Sequence, residues 1–437
     1  VIGSTTASSP AVPLSAVTPP LSAVTPPLSA VTPPLSAVTP AVPLSVVTPA
    51  VPLLVALGVA VAVDTAVGEP PTRFHPVAWF GSVVGRVDRE WSRPRVVGAA
   101  VAIGLPLAAA VAAGVAVATT ATVAAAVVGG GADRLLGTGG AGWLPASVVA
   151  GVILSVTVSL RMLLAVTAEV VASTESDPET ARESIRALVG RETADLPPSA
   201  LRSAAVESAA ENLADGFVAP LVGFVAGAAI GTALVFGAGE SVAMGGSGAA
   251  VGVALPLSVG VAGAVWVKAV NTLDSMLGYR SKPVGGASAR LDDAVMYVPA
   301  RLTAACLALA AGPTGSVGTL RLASRWVREP SSPNSGWPMA TAAVALGVRL
   351  EKPGRYVLNP AAEPPTEAGG ERAVRLVRLA GGVAVAVAAV TLVAAVAAVA
   401  LVAAVAELVA ASVVAGWTVG SAASLLLARS TPGVFEQ

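Results

Sequence analysis

Long stretches without a charged side chain set the first limit on what this sequence can fold into. Residues 97–128, 143–160, 217–236, 249–267, 379–405 and 408–428 hold no Asp, Glu, Lys or Arg, and residues 51–66 hold only Asp64. In water, helices of this kind would expose apolar side chains all round, whereas crossing a bilayer takes roughly 20 apolar residues in succession. These segments are therefore predicted as about seven membrane spans, and the fold class as all-α and polytopic, with helical and loop segments on the cytoplasmic side. Composition agrees: the chain is 54% hydrophobic and 12% charged, with mean hydropathy +0.78, against about 25% charged residues in soluble domains. The apolar material is mostly Ala, Val, Leu and Gly, which suits closely packed membrane helices. The run from Val298 to Ala311 is short and contains Arg301, so it is expected as a re-entrant or interfacial helix.

Charge and cysteine content exclude several functions. The formal net charge is zero, so no basic field invites nucleic acid. One cysteine, Cys306, excludes an internal disulfide, and one histidine, His75, excludes His-rich metal clusters. A bound metal ion would need oxygen ligands.

The first 63 residues carry no charge, and PLSAVTP recurs from Pro13, Pro20, Pro27 and Pro34, with PLSVVTP from Pro43. Proline at both ends of each unit removes backbone donors and clashes with a helical turn. Residues 1–50 are thus expected as a disordered, dispensable tail, ahead of a membrane domain over 51–437 whose motifs lie at 64–356 and which ends in a helical hairpin at 379–428. No cleaved signal peptide is expected, because a positive n-region is missing.

Lys and Arg alternate along the loops. Segment 64–96 carries Arg73, Arg86, Arg89, Arg93 and Arg95, and 161–216 carries Arg161, Arg182, Arg186, Arg191 and Arg202; 129–142 has only Arg134, 237–248 has neither, and 268–378 is rich in both. The positive-inside bias places the motif-bearing segments in the cytoplasm and the N-terminus outside. Cell-membrane localisation follows.

The sharpest local signal is ESAAENLADGFVAPL, Glu207 to Leu221, in which Glu207, Glu211 and Asp215 fall at i, i+4 and i+8. Three carboxylates near a helix C-terminus repel one another and oppose the macrodipole. A divalent cation would reverse that cost, and Mg²⁺ commonly shares carboxylates with nucleotide phosphates, so the row with Asn212 suits an Mg-ATP site. A solvated acidic face, with Asp215-Gly216 stopping the helix, fits the pattern equally.

In VKAVNTLDSMLGYRSKP, Val267 to Pro283, Lys268, Asn271 and Ser275 share one helical face, and Asn271, Asp274 and Gly278 an overlapping one. Arg280 and Lys282 follow and could hold phosphate or carboxylate; Lys268 could equally be a snorkelling anchor. ARLDDAVMYVPARL, from Ala289, sets Asp292 and Asp293 between Arg290 and Arg301, as an oxygen-ligand cluster or an ion-pair network. SSPNSGWP, from Ser331, is dense in turn formers and could present backbone N–H groups to a phosphate, or be a plain tight turn. His75 reads as structural, since no partner for it stands out in sequence. GGGADRLLG at 129–137 lacks the ending of a phosphate loop and reads as a connection.

Together these stretches resemble the integral-membrane adenosylcobinamide-phosphate synthase family of cobalamin biosynthesis. The resemblance runs from about Val51 to Tyr356 in six ordered blocks: DTAVGEPPTRFHPVAWFG from Asp64, ARESIRALVGRET from Ala181, ESAAENLADGFVAPL, VKAVNTLDSMLGYRS, ARLDDAVMYVPARLT, and SPNSGWPMATAAVALGVRLEKPGRY from Ser332. Departures are the repeat before Val51, Ala/Val-rich lengthening near 100–140 and 380–425, and Glu69 and Glu192 where Asp is expected. The resemblance implies an ATP-dependent amide synthase joining aminopropanol, its phosphate, or a related aminoalcohol phosphate to the free propionate of adenosylcobyric acid. ATP and Mg²⁺ are the implied cofactors, and other membrane enzymes of cobalamin assembly the implied protein partners. It further implies Glu207, Glu211 and Asp215 as metal ligands beside Asn212, and Asp274, Asp292 and Asp293 as further ligands or a base for the amine. Arg191, Lys268, Asn271, Arg280, Lys282, Ser332 and Asn334 would hold phosphates or the propionate.

Two rival classes are weaker. A transporter of a small polar or cobalamin-related solute would place its polar residues near the bilayer midplane, often within internal repeats, whereas here they cluster to one side of nearly charge-free spans. A membrane phosphotransferase would need an Arg where Pro220 stands and later spaced Asp residues that are missing.

Overall fold

Ala- and Leu-rich runs have high helix propensity, and within lipid a helix satisfies its backbone groups internally, so both influences act in the same direction. The computed structural model describes residues 50–128, 143–186, 196–237, 248–279 and 281–429. The repeat within 1–49, Arg191, Glu192 and Arg280 lie outside them. The helices run in the order α1 (Ala50–Ala66), α2 (Pro76–Gly85), α3 (Pro94–Val128), α4 (Trp143–Ser155), α5 (Leu160–Ser176), α6 (Pro178–Ile185), α7 (Pro198–Leu213), α8 (Ala219–Gly237), α9 (Gly248–Leu277), α10 (Gly286–Val295), α11 (Tyr297–Ala311), α12 (Ser316–Ala323), α13 (Gly336–Leu346) and α14 (Glu367–Arg429). A small antiparallel hairpin, β1 (Leu350–Lys352) and β2 (Tyr356–Leu358), precedes α14 and pairs Leu350 with Leu358.

The chain is an α-helical polytopic membrane protein. Among the described residues five helical stretches are long and apolar enough to cross a bilayer, α3, α4 with α5, α7 with α8, α9 and α14, or six if the bent pair α10 and α11, which meet at 45°, is one span. The expected seven are reduced in two places. The predicted spans 379–405 and 408–428 are not a hairpin but one helix, α14, because only Ala406 and Glu407, both good helix formers, separate them and no turn residue does. The predicted span 51–66 forms α1, which is a shorter apolar helix. Residues 143–160 also break at Val156–Ser159, where α4 gives way to α5.

Small residues let the central helices touch. Gly223, Gly227 and Gly231 repeat every fourth residue on α8, and a Cβ on Gly223 would stand 2.6 Å from the Gly263 carbonyl oxygen of α9, with Gly227 closer still to that of Val259 and Gly231 2.7 Å from Pro256 Cα. This small-xxx-small packing replaces the hydrophobic driving force that lipid removes. Phe217, Phe224, Leu257 and Leu307 are fully buried in the same core as Leu53 of α1 and Met339 of α13.

Two arginines fix the helix ends that frame the site. Arg161 donates from Nη1 to the carbonyls of Ala66 (2.7 Å) and Thr65 (3.3 Å), closing the C-terminus of α1, while its backbone N–H donates to Asp64 Oδ2 at 3.2 Å. Arg202 is buried and ties α7 to Pro365 O (2.8 Å), Thr174 Oγ1 (3.0 Å) and Glu175 Oε1 (2.6 Å).

Candidate active site

The helix that the solvated-face reading would stop at Asp215-Gly216 continues through it. Ala214–Val218 forms a π turn that joins α7 to α8, with the Ala219 N–H bonded to the Ala214 carbonyl. A π turn leaves carbonyls without their usual partners and favours functional positions. Here the Gly216 carbonyl accepts the Ser159 N–H at 3.1 Å, from the break between α4 and α5.

The acidic row consequently divides. Glu207 is buried beneath the hairpin, where Oε1 accepts from Ser203 Oγ (2.9 Å) and Oε2 from the Tyr356 hydroxyl (2.8 Å). Glu211 stands between, near Lys352 and Glu207, and Asp215 turns toward α9. Asn271 on α9 lines the same cleft as Asp215, and its Nδ2 lies 3.5 Å from Asp292 Oδ1 on α10. Lys268, one turn before Asn271, faces both Asp215 and Glu69. Asp274 and Asp293 add charge around Asp292, and among the described residues Asp274 Oδ1 is buried without a hydrogen-bond partner.

Of these groups, Asp215, Lys268, Asn271 and Glu69 border a cleft of about 460 Å³, which His75 and Asn212 also line. Asn212 Nδ2 is held at 2.9 Å by the Ser208 carbonyl and hydroxyl. Four expected residues are thus brought to one cleft, Asn212, Asp215, Lys268 and Asn271, with Asp292 joined to it through Asn271. No three carboxylate, imidazole or thiol groups among the described residues form a closed metal cage. The oxygen-only pair Asp215 and Asp292 suits Mg²⁺, which usually takes one or two carboxylates and completes its shell with water and substrate phosphates.

Other expected residues lie apart. Lys282 Nζ donates to Asp88 Oδ2 (2.6 Å) and the Met276 carbonyl (3.0 Å). Ser332 Oγ accepts the backbone N–H groups of Asn334 (3.2 Å) and Ser335 (3.4 Å), so those donors serve the turn itself. Buried Asn334 donates to the Asp293 carbonyl at 2.8 Å and accepts from Arg301 Nη1 at 2.9 Å, tying this turn to α10 and α11. Arg301 stacks 3.6 Å above the Tyr297 ring and, with Arg328, Ser331 and Ser332, borders a second cavity of about 770 Å³.

Sequence reasoning read His75 as structural and noted Glu69 only as a departure from Asp, giving neither a place in the site. His75 has a partner, Glu69 Oε2 at 3.5 Å from Nε2. Its Nδ1 accepts the Val77 N–H at 3.2 Å as the N-cap of α2, ahead of Pro76 at the first helical position. The signal available was that cap-and-proline pattern following an acidic residue.

The chain's residues 57–379 match the family model described as CobD/Cbib protein. It is 31% identical over 338 residues to the probable cobalamin biosynthesis protein CobD of Methanothrix thermoacetophila, covering 77% of this chain and 95% of that one. It is 32% identical over 306 residues to the probable CobD of Methanothermobacter thermautotrophicus, covering 69% and 85%. With the cobalamin biosynthesis protein CobD of Rhodobacter capsulatus it shares 34% identity over 326 residues, covering 70% and 84%. No solved structure matches the chain significantly.

Proposed function

The chain belongs to the CobD/CbiB family, and on that premise we propose that this cobalamin biosynthesis protein is an ATP-dependent amide synthase acting on adenosylcobyric acid. Its second substrate is aminopropanol, its phosphate, or a related aminoalcohol phosphate. A carboxylate is inert to amines, so the propionate oxygen first attacks the γ-phosphorus of ATP, releasing ADP and leaving an acyl phosphate. The amine nitrogen then attacks the carbonyl carbon, expelling phosphate and losing a proton.

The observation that carries this reading is one cleft lined by Asp215, Lys268 and Asn271, with Asn271 Nδ2 3.5 Å from Asp292 Oδ1. Asp215 and Asp292 would hold Mg²⁺ together with phosphate oxygens of the nucleotide, and the bound ion would supply charge neutralisation there. Lys268 is suited to orient the propionate or a phosphate by charge, and Asn271 holds Asp292 beside the cleft. Catalysis of this kind is positioning plus preorganised electrostatics. The cavity under Arg301 and Arg328 is a candidate seat for the remaining phosphates or the corrinoid amides.

Genetic complementation tests the step. A strain lacking its own synthase and carrying this gene is expected to regain growth on cobyric acid, while the empty strain grows on cobinamide alone. Failure to rescue on cobyric acid, with the protein present in the membrane, would contradict the assignment.

A further inference from the structure

Glu69 and His75 take no part in the reaction as set out above, yet they form one wall of the cleft that holds Asp215 and Lys268. With Nδ1 of His75 accepting the Val77 N–H, the ring's proton sits on Nε2, which lies 3.5 Å from Glu69 Oε2. With Nδ1 so engaged, the ring has no free lone pair to offer a substrate. Its role is to hold Glu69.

The charge lining the cleft explains what a fixed Glu69 is for. Among the described residues lining the cleft, the carboxylates are Glu69 and Asp215 and the one Lys or Arg is Lys268. Two carboxylates against one cation suit a cationic group, and Glu69, unlike Asp215, has no part in the metal-type pair. Asn212, Thr72 and Thr272 on the same walls offer hydrogen bonds to a neighbouring hydroxyl. We propose that Glu69, positioned by His75, binds the primary ammonium of the aminoalcohol substrate, which gives up one proton to water before the neutral nitrogen attacks, and so sets the amine beside the carboxylate-activating residues. The proposal rests on the amide-synthase reading.

Steady-state kinetics of the purified protein in nanodiscs test it, using aminopropanol or its phosphate, adenosylcobyric acid and Mg-ATP. In Glu69→Gln the KM for the amine is expected to rise about tenfold or more, while those for the corrinoid and ATP stay within twofold. His75→Asn keeps an N-cap acceptor for Val77 but loses the contact to Glu69, and should raise the amine KM at least threefold with an unchanged thermal midpoint. If Glu69→Gln does not accumulate, Glu69→Ala removes the same charge and reads the same split. A rise of threefold or more confined to the amine supports the subsite; a smaller rise, or equal rises for all three substrates, overturns it. A wild-type protein that forms no amide at all would overturn instead the synthase reading beneath it.

Discussion

The Tyr356 hydroxyl donates a 2.8 Å hydrogen bond to Glu207 Oε2 across 149 residues of sequence. Together with Ser203 Oγ, which accepts the Glu351 N–H at 2.8 Å and donates to Glu207 Oε1, it fastens the β-hairpin to α7. Hydrogen bonds to a charged group contribute roughly 1.5–3 kcal/mol, and more is lost when a buried acceptor is left bare. Tyr356→Phe is therefore expected to lower stability by about 1–3 kcal/mol, read as a lower thermal midpoint in detergent. An unchanged midpoint would show that the contact holds nothing.

Close approach of α8 and α9 predicts a second stability effect. A side chain at Gly227 would run into the Val259 carbonyl, whereas Gly237 has open space around it. Gly227→Leu should reduce the folded membrane fraction or cost about 1–3 kcal/mol, the range for overpacking, and Gly237→Ala should not. Size-exclusion profiles and thermal midpoints of the two variants distinguish them; equal behaviour would contradict the packing.

Much of this fold is legible in the sequence, because charge-free Ala/Val runs leave a membrane helix as the main option. The C-terminal hairpin was misread because Glu407 looks like a break in hydropathy but is no break for the backbone. The acidic row was legible as residues, not as geometry: an i, i+4, i+8 spacing assumes an uninterrupted α-helix, and the π turn at Ala214–Val218 re-aims Asp215. Partners such as Asp292 for Asn271, and Glu69 for His75, come from folding and loop path, which spacing along the chain does not encode.

Loop orientation gives a third prediction, from the Lys/Arg alternation. In a Cys306→Ser background, single cysteines replacing Glu90, Ser281 or Glu329 should resist an impermeant thiol reagent in intact cells and react after permeabilisation. Ready labelling of two of these in intact cells would reverse the orientation. Cys306 itself is buried, so the thermal midpoint of Cys306→Ser is compared with wild type before labelling.

The central claim is that Asp215 and Asp292, grouped with Asn271, serve chemistry and not the fold. Its most direct measurement is ATP-dependent conversion of adenosylcobyric acid by purified Asp215→Asn and Asp292→Asn, with thermal midpoints recorded alongside. Each substitution removes one carboxylate from a cluster of like charges, so the midpoint should hold or rise slightly, while loss of a preorganised charge should lower turnover by about 10²-fold or more. Both variants turning over within threefold of wild type, at the same midpoint, would remove this pair from the active site.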